Sequence, residues 1–183
     1  MGETSRSDED TAGALRAPAG GRKGASFRLA AYALCIEDGK VLLTRHTSGN
    51  WTLPGGRVEH GEDPFDAVTR EVTEETGYGA EVERLLGVDS RVIPAAEARS
   101  GVAHQNVGIF YRVRISGGGP RSGPGPDPAS PPDPDTLGTA WTPPADVARL
   151  PRSSLVDVGL DLARTLPASG HVPPVPVGGL IDH

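Results

Sequence analysis

The chain has little of what usually holds a small fold together from outside. Among its 183 residues there is one cysteine, Cys35, so no internal disulfide can form. Its place in an apolar run marks it as a buried thiol rather than a nucleophile. Aromatic residues make up 4%, so the core has to rest on Val, Leu, Ile and Ala. Lysine occurs only at Lys23 and Lys40, a bias that reads as codon usage rather than function. No stretch approaches the ~18 apolar residues of a membrane span, and the opening 24 residues lack an apolar segment, so a soluble cytoplasmic protein is expected, with no membrane partner. Positive charge is also short. A net charge of −6 argues against a nucleic-acid partner, which would call for a basic patch. It leaves room for a small anionic substrate held through a metal ion, and it is compatible with a homodimer.

What the chain has in excess is glycine, 25 residues, and proline, 18, and these cluster. Residues 1–24 mix Gly, Ser, Asp and Arg without periodicity and read as a disordered segment. Residues 116–135 form a low-complexity insertion of Gly, Pro, Ser and Asp, expected to enter neither sheet nor helix. Residues 167–183 read as a flexible tail. One folded domain over 25–166 remains, with roughly 130 ordered residues.

Within it, the apolar run 27–36, the Asp38-Gly39 turn signal and Val41-Leu42-Leu43 predict a hairpin of two buried strands. A short extended piece at Trp51-Thr52-Leu53 is broken by Pro54-Gly55-Gly56. Residues 63–77 give the clearest helix. Asp63 suits the N-cap, Pro64 the first helical position and Gly77 the position just past the end. Phe65, Val68, Val72 and Thr76 fall on its inward face. Strands are expected over 81–93 and 106–115, with Phe110 and Arg112 on the face away from the core. A strand over 137–142, a short helix over 144–150 and a final helix over 153–166 follow, the last burying Leu155, Val158, Leu162 and Leu166.

The most informative feature is Arg70-Glu71-Val72-Thr73-Glu74-Glu75-Thr76-Gly77. On a helix Glu71, Glu74 and Glu75 share one stripe, with neighbouring Cβ atoms roughly 5–6 Å apart, and like charges at that spacing repel. Glu74 and Glu75 also stand in the last turn, at the negative end of the helix dipole. A solvated acidic face is the plain explanation. The stripe, however, adjoins the apolar face and follows a glycine turn able to approach a ligand closely. A hard divalent cation, Mg²⁺ or Mn²⁺, would resolve the repulsion.

Together these residues resemble the Nudix (MutT-like) hydrolase signature. That pattern is Gly, five residues, Glu, seven residues, Arg-Glu, a bulky apolar residue, any residue, Glu-Glu, any residue, Gly and a bulky apolar residue. Here it reads Gly56, Glu62, Arg70-Glu71-Val72, Glu74-Glu75, Gly77 and Tyr78, nine constrained positions within 23 residues. Trp141-Thr142-Pro143 ahead of a short helix is also similar to the late region of many members. The resemblance implies an α/β fold, the Nudix-type α/β/α sandwich with a mixed sheet, its motif forming loop–helix–loop. It implies Mg²⁺-dependent hydrolysis, with Mn²⁺ as substitute, of a phosphoanhydride in a nucleoside diphosphate linked to another moiety. Nucleoside triphosphates and ADP-ribose-like compounds stand as equal candidates.

Carried over residue by residue, Glu71, Glu74 and Glu75 would be metal ligands with the Gly55 carbonyl. Arg70 would orient the carboxylates, and Glu62 would support the loop. Glu71 would serve as the base or as a ligand shared with it. The sequence departs from the pattern at Tyr78, where an aliphatic is usual. It also has no Asp or Glu from residue 98 to 126, where some members place a further carboxylate. Glu97, Asp133, Asp135 or a neutral Gln105 would have to serve. Pro94, sixteen residues past the motif, matches a feature of ADP-ribose-cleaving members. Candidate substrate contacts are Arg45 at a strand end, Trp51 as a stacking platform, Gly56 and Arg57 in the turn, and Phe110 on the presumed cleft face. The alternative is a Nudix-fold module that senses a nucleotide without turnover, against which the intact glutamate trio argues.

Overall fold

A computed structural model of the chain describes residues 25–98, 100–120 and 134–179. The 1–24 segment, most of the 116–135 insertion and residues 180–183 lie outside them. In chain order the elements are β1 (Ala25–Leu34), β2 (Ile36–Glu37), β3 (Lys40–His46), β4 (Trp51–Thr52), β5 (Gly55–Arg57), α1 (Pro64–Thr76), β6 (Tyr78–Ile93), β7 (Ala103–Gly118), β8 (Thr136–Thr142), α2 (Pro144–Val147) and α3 (Ser154–Thr165). The first sheet has the order β5-β1-β7-β6 and is mixed: β1 runs parallel to β7, while β1–β5 and β6–β7 are antiparallel. In the second, antiparallel sheet β3 is central, between β8 and the pair β2 and β4.

The predicted 27–36 hairpin divides between these sheets. Residues 30–35 are buried on both faces, with Ala30, Tyr32 and Leu34 in one cluster and Ala31, Ala33 and Cys35 in the other. Such a strand belongs inside a sheet, between β7 and β5, not in a two-stranded hairpin. Only β2 folds back on β3, with Ile36 opposite Val41.

The two clusters are the two cores. On the outer face of the first sheet, Ala67, Val68 and Val72 of α1 pack against Ala31, Ala33 and Val113. On the inner face, Leu155, Val158 and Leu162 of α3 pack with Tyr32, Leu34 and Phe110. The α/β sandwich expected from the motif is therefore present. Phe65 and Leu166 depart from their predicted burial. Phe65 lies at the start of α1, edge-on to Tyr111 at 6.2 Å between ring centroids, and leaves half its surface exposed, while Ala67 takes an inward place. Leu166 is the left-handed cap of α3, turned out of the helix stripe.

Two further expectations are corrected. Ser116, Gly117 and Gly118 were placed in the insertion but continue β7, with Gly117 and Gly118 paired to Gly79 and Tyr78. The segment after α3 is no loose tail over 167–179. Val172 is buried in the inner core with Val175 against it, the Val88 N–H donates to the Gly170 carbonyl at 2.9 Å, and the Ser154 N–H donates to the Gly178 carbonyl at 2.9 Å.

Candidate functional site

The motif assembles around the start and body of α1. Asp63 caps the helix by accepting the Phe65 N–H at 2.8 Å, and Gly77 closes it in the left-handed conformation, φ 78°. Nearly two turns into the helix, Arg70 reaches back over the loop that enters it. Its Nε and Nη2 donate to the two oxygens of Glu62 at 2.8 and 2.9 Å, a bidentate fork. The same Nη2 donates to the Arg57 carbonyl at 3.0 Å, and Nη1 donates to Glu71 at 3.0 Å and to Glu74 at 2.9 Å. Glu62 in turn accepts the Glu59 N–H at 2.9 Å. One guanidinium thus ties loop, helix and three carboxylates together. Hydrogen bonds from Arg70 hold the Glu62 carboxyl below its ordinary range. Glu71 goes the other way: burial raises its pKa more than the Arg70 charge lowers it.

Glu75 points to the neighbouring strand, where its Oε2 accepts the Gly55 N–H at 3.1 Å. Two glycines make this approach possible, for different reasons. Gly55 has φ 143°, and a Cβ there would run into the Ala31 carbonyl and the Tyr32 backbone. At Gly56 a Cβ would stand 2.5 Å from Glu71 Oε1, in the space the carboxylate occupies.

The donor set suits a hard divalent cation: three carboxylates and backbone carbonyls, with no sulfur or imidazole. The cradle at Gly56 beside Glu71 fits the same reading. Among the described residues no three His, Cys, Asp or Glu side chains converge as a ready-made metal cluster. Glu71 and Glu74 share Arg70 Nη1, while Glu75 turns to Gly55.

The candidate substrate residues are not all gathered here. Arg57 is exposed beside the network, and Gly56 lies in it. Arg45 is exposed on β3, paired with Trp51 across β4. Trp51 is half-buried against the inner core, its backbone bonded to Pro151 and Ser153. Phe110 is a correction: it is fully buried, 5.3 Å from the Tyr32 ring, and lines no cleft. Arg112, on the same face, donates to the Ile36 carbonyl and links the sheets. Gln105 sits on the outer face bonded to Ser90, on the side of the sheet opposite Tyr32. Asp133 lies outside the described residues. Tyr78 fills its apolar place and accepts a hydrogen bond from Trp141 Nε1 at 3.2 Å.

Sequence reasoning missed a polar region on the inner face. Arg28, Asn106 and Arg91 form one row across β1, β7 and β6. Arg91 is buried and fixed by Asp89 at 2.6 Å and by the Ser154 hydroxyl. Tyr32 stands opposite Gly55 in the sheet, and its hydroxyl is 3.5 Å from Asn106 Nδ2. Burial raises the Tyr32 pKa, Arg28 lowers it, and the charges of Glu75 and Arg91 also reach it. Asn106 Oδ1 is buried without a protein partner. His104 lies in β7 with Nδ1 2.7 Å from the Ser26 hydroxyl, and burial lowers its pKa. The available signal was polar residues recurring at every second strand position, which passed for solvent contacts.

A mixed-sheet α/β sandwich with an arginine-tied glutamate helix beside a glycine turn defines a class. The NUDIX domain pattern matches residues 26–157, and the chain belongs to that family. It is 39% identical over 87 residues to the 8-oxo-dGDP phosphatase of Homo sapiens, covering 46% of this chain and 27% of that protein. It is 37% identical over 91 residues to the ADP-ribose pyrophosphatase of Methanocaldococcus jannaschii, covering 48% and 50%. The chain thus spans about half or less of the length of these curated relatives. A NUDIX hydrolase from Nitrosomonas europaea shares the fold, with a TM-score of 0.59 over 75% of this chain and 88% of that one at 22% identity.

Proposed function

We propose that the chain hydrolyses a phosphoanhydride bond in a nucleoside diphosphate linked to another group, with Mg²⁺ as cofactor and Mn²⁺ as substitute. The observation that carries this is the Arg70 array. A solvated acidic face would let its carboxylates point apart into water, whereas here one guanidinium holds Glu62, Glu71 and Glu74 against the loop that follows β5. Proteins of this family generally use divalent metals. A divalent cation bound by Glu71, Glu74, Glu75 and the Gly55 carbonyl would neutralise the diphosphate and make a bound water acidic.

The chain's own residues position and move the proton. Arg70 sets the rotamers of Glu71 and Glu74, and Glu62 keeps Arg70 in place. Glu71, the most buried of the carboxylates in the Arg70 network, takes the proton of the attacking water, as the base itself or as a ligand shared with it. Arg57 supplies an exposed cation for the phosphates. The polar end of the inner face, with Arg28, Tyr32 and Asn106, lies within electrostatic reach of Glu75 and receives the organic group. The names of the two curated relatives, one for 8-oxo-dGDP and one for ADP-ribose, support a nucleotide-derived substrate.

The test is release of phosphate or of a nucleoside monophosphate from a panel of nucleotides with Mg²⁺. Glu71→Gln, Glu74→Gln and Glu75→Gln are each expected to lower kcat by about 10²-fold or more. Full activity in all three variants, or no turnover of any substrate by the parent chain, would defeat the proposal. Nucleotide binding retained without turnover would favour the sensing module.

A further inference from the structure

Arg28 stands where the two halves of the candidate site meet. It precedes Ala30 by two residues on β1 and so shares the inner face with Ala30 and Tyr32. Strand β5 pairs with β1 only as far as Ala30, opposite Arg57, and from there the chain turns into the loop that holds Glu62 and enters α1. On its other side Arg28 shares a row with Asn106 of β7 and Arg91 of β6. Burial raises the pKa of Glu71 and of Tyr32 and lowers that of His104, and the Arg28 charge acts on all three, favouring the anion of the first two and the neutral form of the third. Arg70 joins it at Glu71, Arg91 at Tyr32 and Arg57 at His104. The half-buried Arg28 guanidinium is thus within electrostatic reach of the glutamate helix and of the polar inner face together.

Two neighbouring cations have settled work. Arg70 is spent on Glu62, Glu71 and Glu74, and Arg91 on Asp89 at 2.6 Å and on Ser154. Arg57 is exposed beside Ala30. Arg28 is balanced in part by the carboxylates of α1, since its charge favours the Glu71 anion. A divalent cation held by Glu71, Glu74 and Glu75 takes up that negative charge and sets two positive centres against each other across the end of β5. An anionic oxygen between them turns the repulsion into attraction on both sides. A diphosphate carries such oxygens on both phosphorus atoms, so one phosphate can meet the cation while the next meets Arg28. A neutral base or sugar offers nothing equivalent.

Given the diphosphate hydrolysis proposed for this site, we propose that Arg28 binds the phosphate that joins the diphosphate to the organic group, and so sets which end of the substrate lies on the inner face. The contact is made in the bound substrate and in the transition state alike, so its loss raises KM and leaves kcat within a few-fold. Isothermal titration of the full chain separates this role from support of the glutamates. The probes are Mn²⁺ alone and, with Mn²⁺ present, the α,β-methylene analogues of ADP and GDP, whose P–C–P bridge resists hydrolysis. Arg28→Gln should bind the analogues about 10–100-fold more weakly, yet bind Mn²⁺ alone no more weakly, because a repelling charge has gone. Arg28→Lys keeps the charge but not the fork and should lose about 3–10-fold, which carries the test if the glutamine variant does not fold. Arg84→Gln, at an exposed arginine farther along the sheet on β6, should change neither titration. Analogue binding unchanged in Arg28→Gln overturns the proposal, and so does Mn²⁺ binding weakened as much as analogue binding, which would make Arg28 a support for Glu71. Failure of the parent chain to bind either analogue also overturns it, and nucleotide turnover by the parent shows whether the hydrolase reading falls with it.

Discussion

At the scale of single residues, the adjacent glycines of the β5 turn do different work, and substitution separates them. A methyl at Gly55 meets main chain on two sides and forces an L-residue into φ 143°. Gly55→Ala is therefore expected to cost about 2 kcal/mol or more of stability, read by chemical denaturation. At Gly56 the backbone tolerates a side chain, and the atoms nearest the new methyl are the end of the Glu71 side chain. Gly56→Ala should cost less than about 1 kcal/mol and lower kcat by about 10–100-fold, because the displaced carboxylate leaves its place on Arg70. Equal stability losses in the two variants would show that Gly56 is a structural glycine alone. The sequence marks both positions as glycine but not this difference, which depends on whether main chain or side chain lies across the gap.

At the scale of elements, legibility followed the range of the determining contacts. Helix α1 was readable end to end because its signals are local: Asp63, Pro64 and Gly77 each act within one turn of the boundary they set. Asp63→Ala removes the acceptor of the Phe65 N–H and should cost about 1 kcal/mol. Asp63→Asn, which keeps a capping oxygen, should cost a few tenths at most. If Asn is as damaging as Ala in thermal denaturation, the cap is not what matters at Asp63. Strand β7 shows the opposite case. Its alternation was seen, but one face alone was taken for core, when each carries one: Val113 is buried under α1 and Phe110 under α3. Val107 and Ile109 look like core and sit on the less covered stretch of the outer face, while Phe110, among glycine and arginines, is fully buried. What fixes the faces is where α1 and α3 end, and no window of β7 contains that. The same missing information hid Asn106 and Arg91, which are buried on the inner face.

At the scale of the whole molecule, the C-terminal segment closes what the sheets leave open. Composition made 167–183 a tail, since Gly, Pro and Ser separate its few valines. Those valines have partners: Val172 is buried in the inner core that also holds Leu162 and Leu86, and Val175 packs on the same cluster. The Gly170 carbonyl takes the outward Val88 N–H, so the segment also blunts an edge strand that would otherwise invite pairing. Val172→Ala deletes two buried methyl groups, which at about 0.8 kcal/mol per buried carbon costs roughly 1.5–2 kcal/mol before relaxation. The local consequence is separable from the global one. If the segment is docked as described, hydrogen exchange at the Val88 amide should speed up in Val172→Ala by more than it does at amides between β1 and β7, because Val88 relies on a bond from outside the sheet. Unchanged stability and unchanged Val88 exchange would return residues 167–179 to the status of a tail. The domain would then have to be held by its two sheets and α3 alone, with Gly87 and Val88 facing water where the structure puts Gly170.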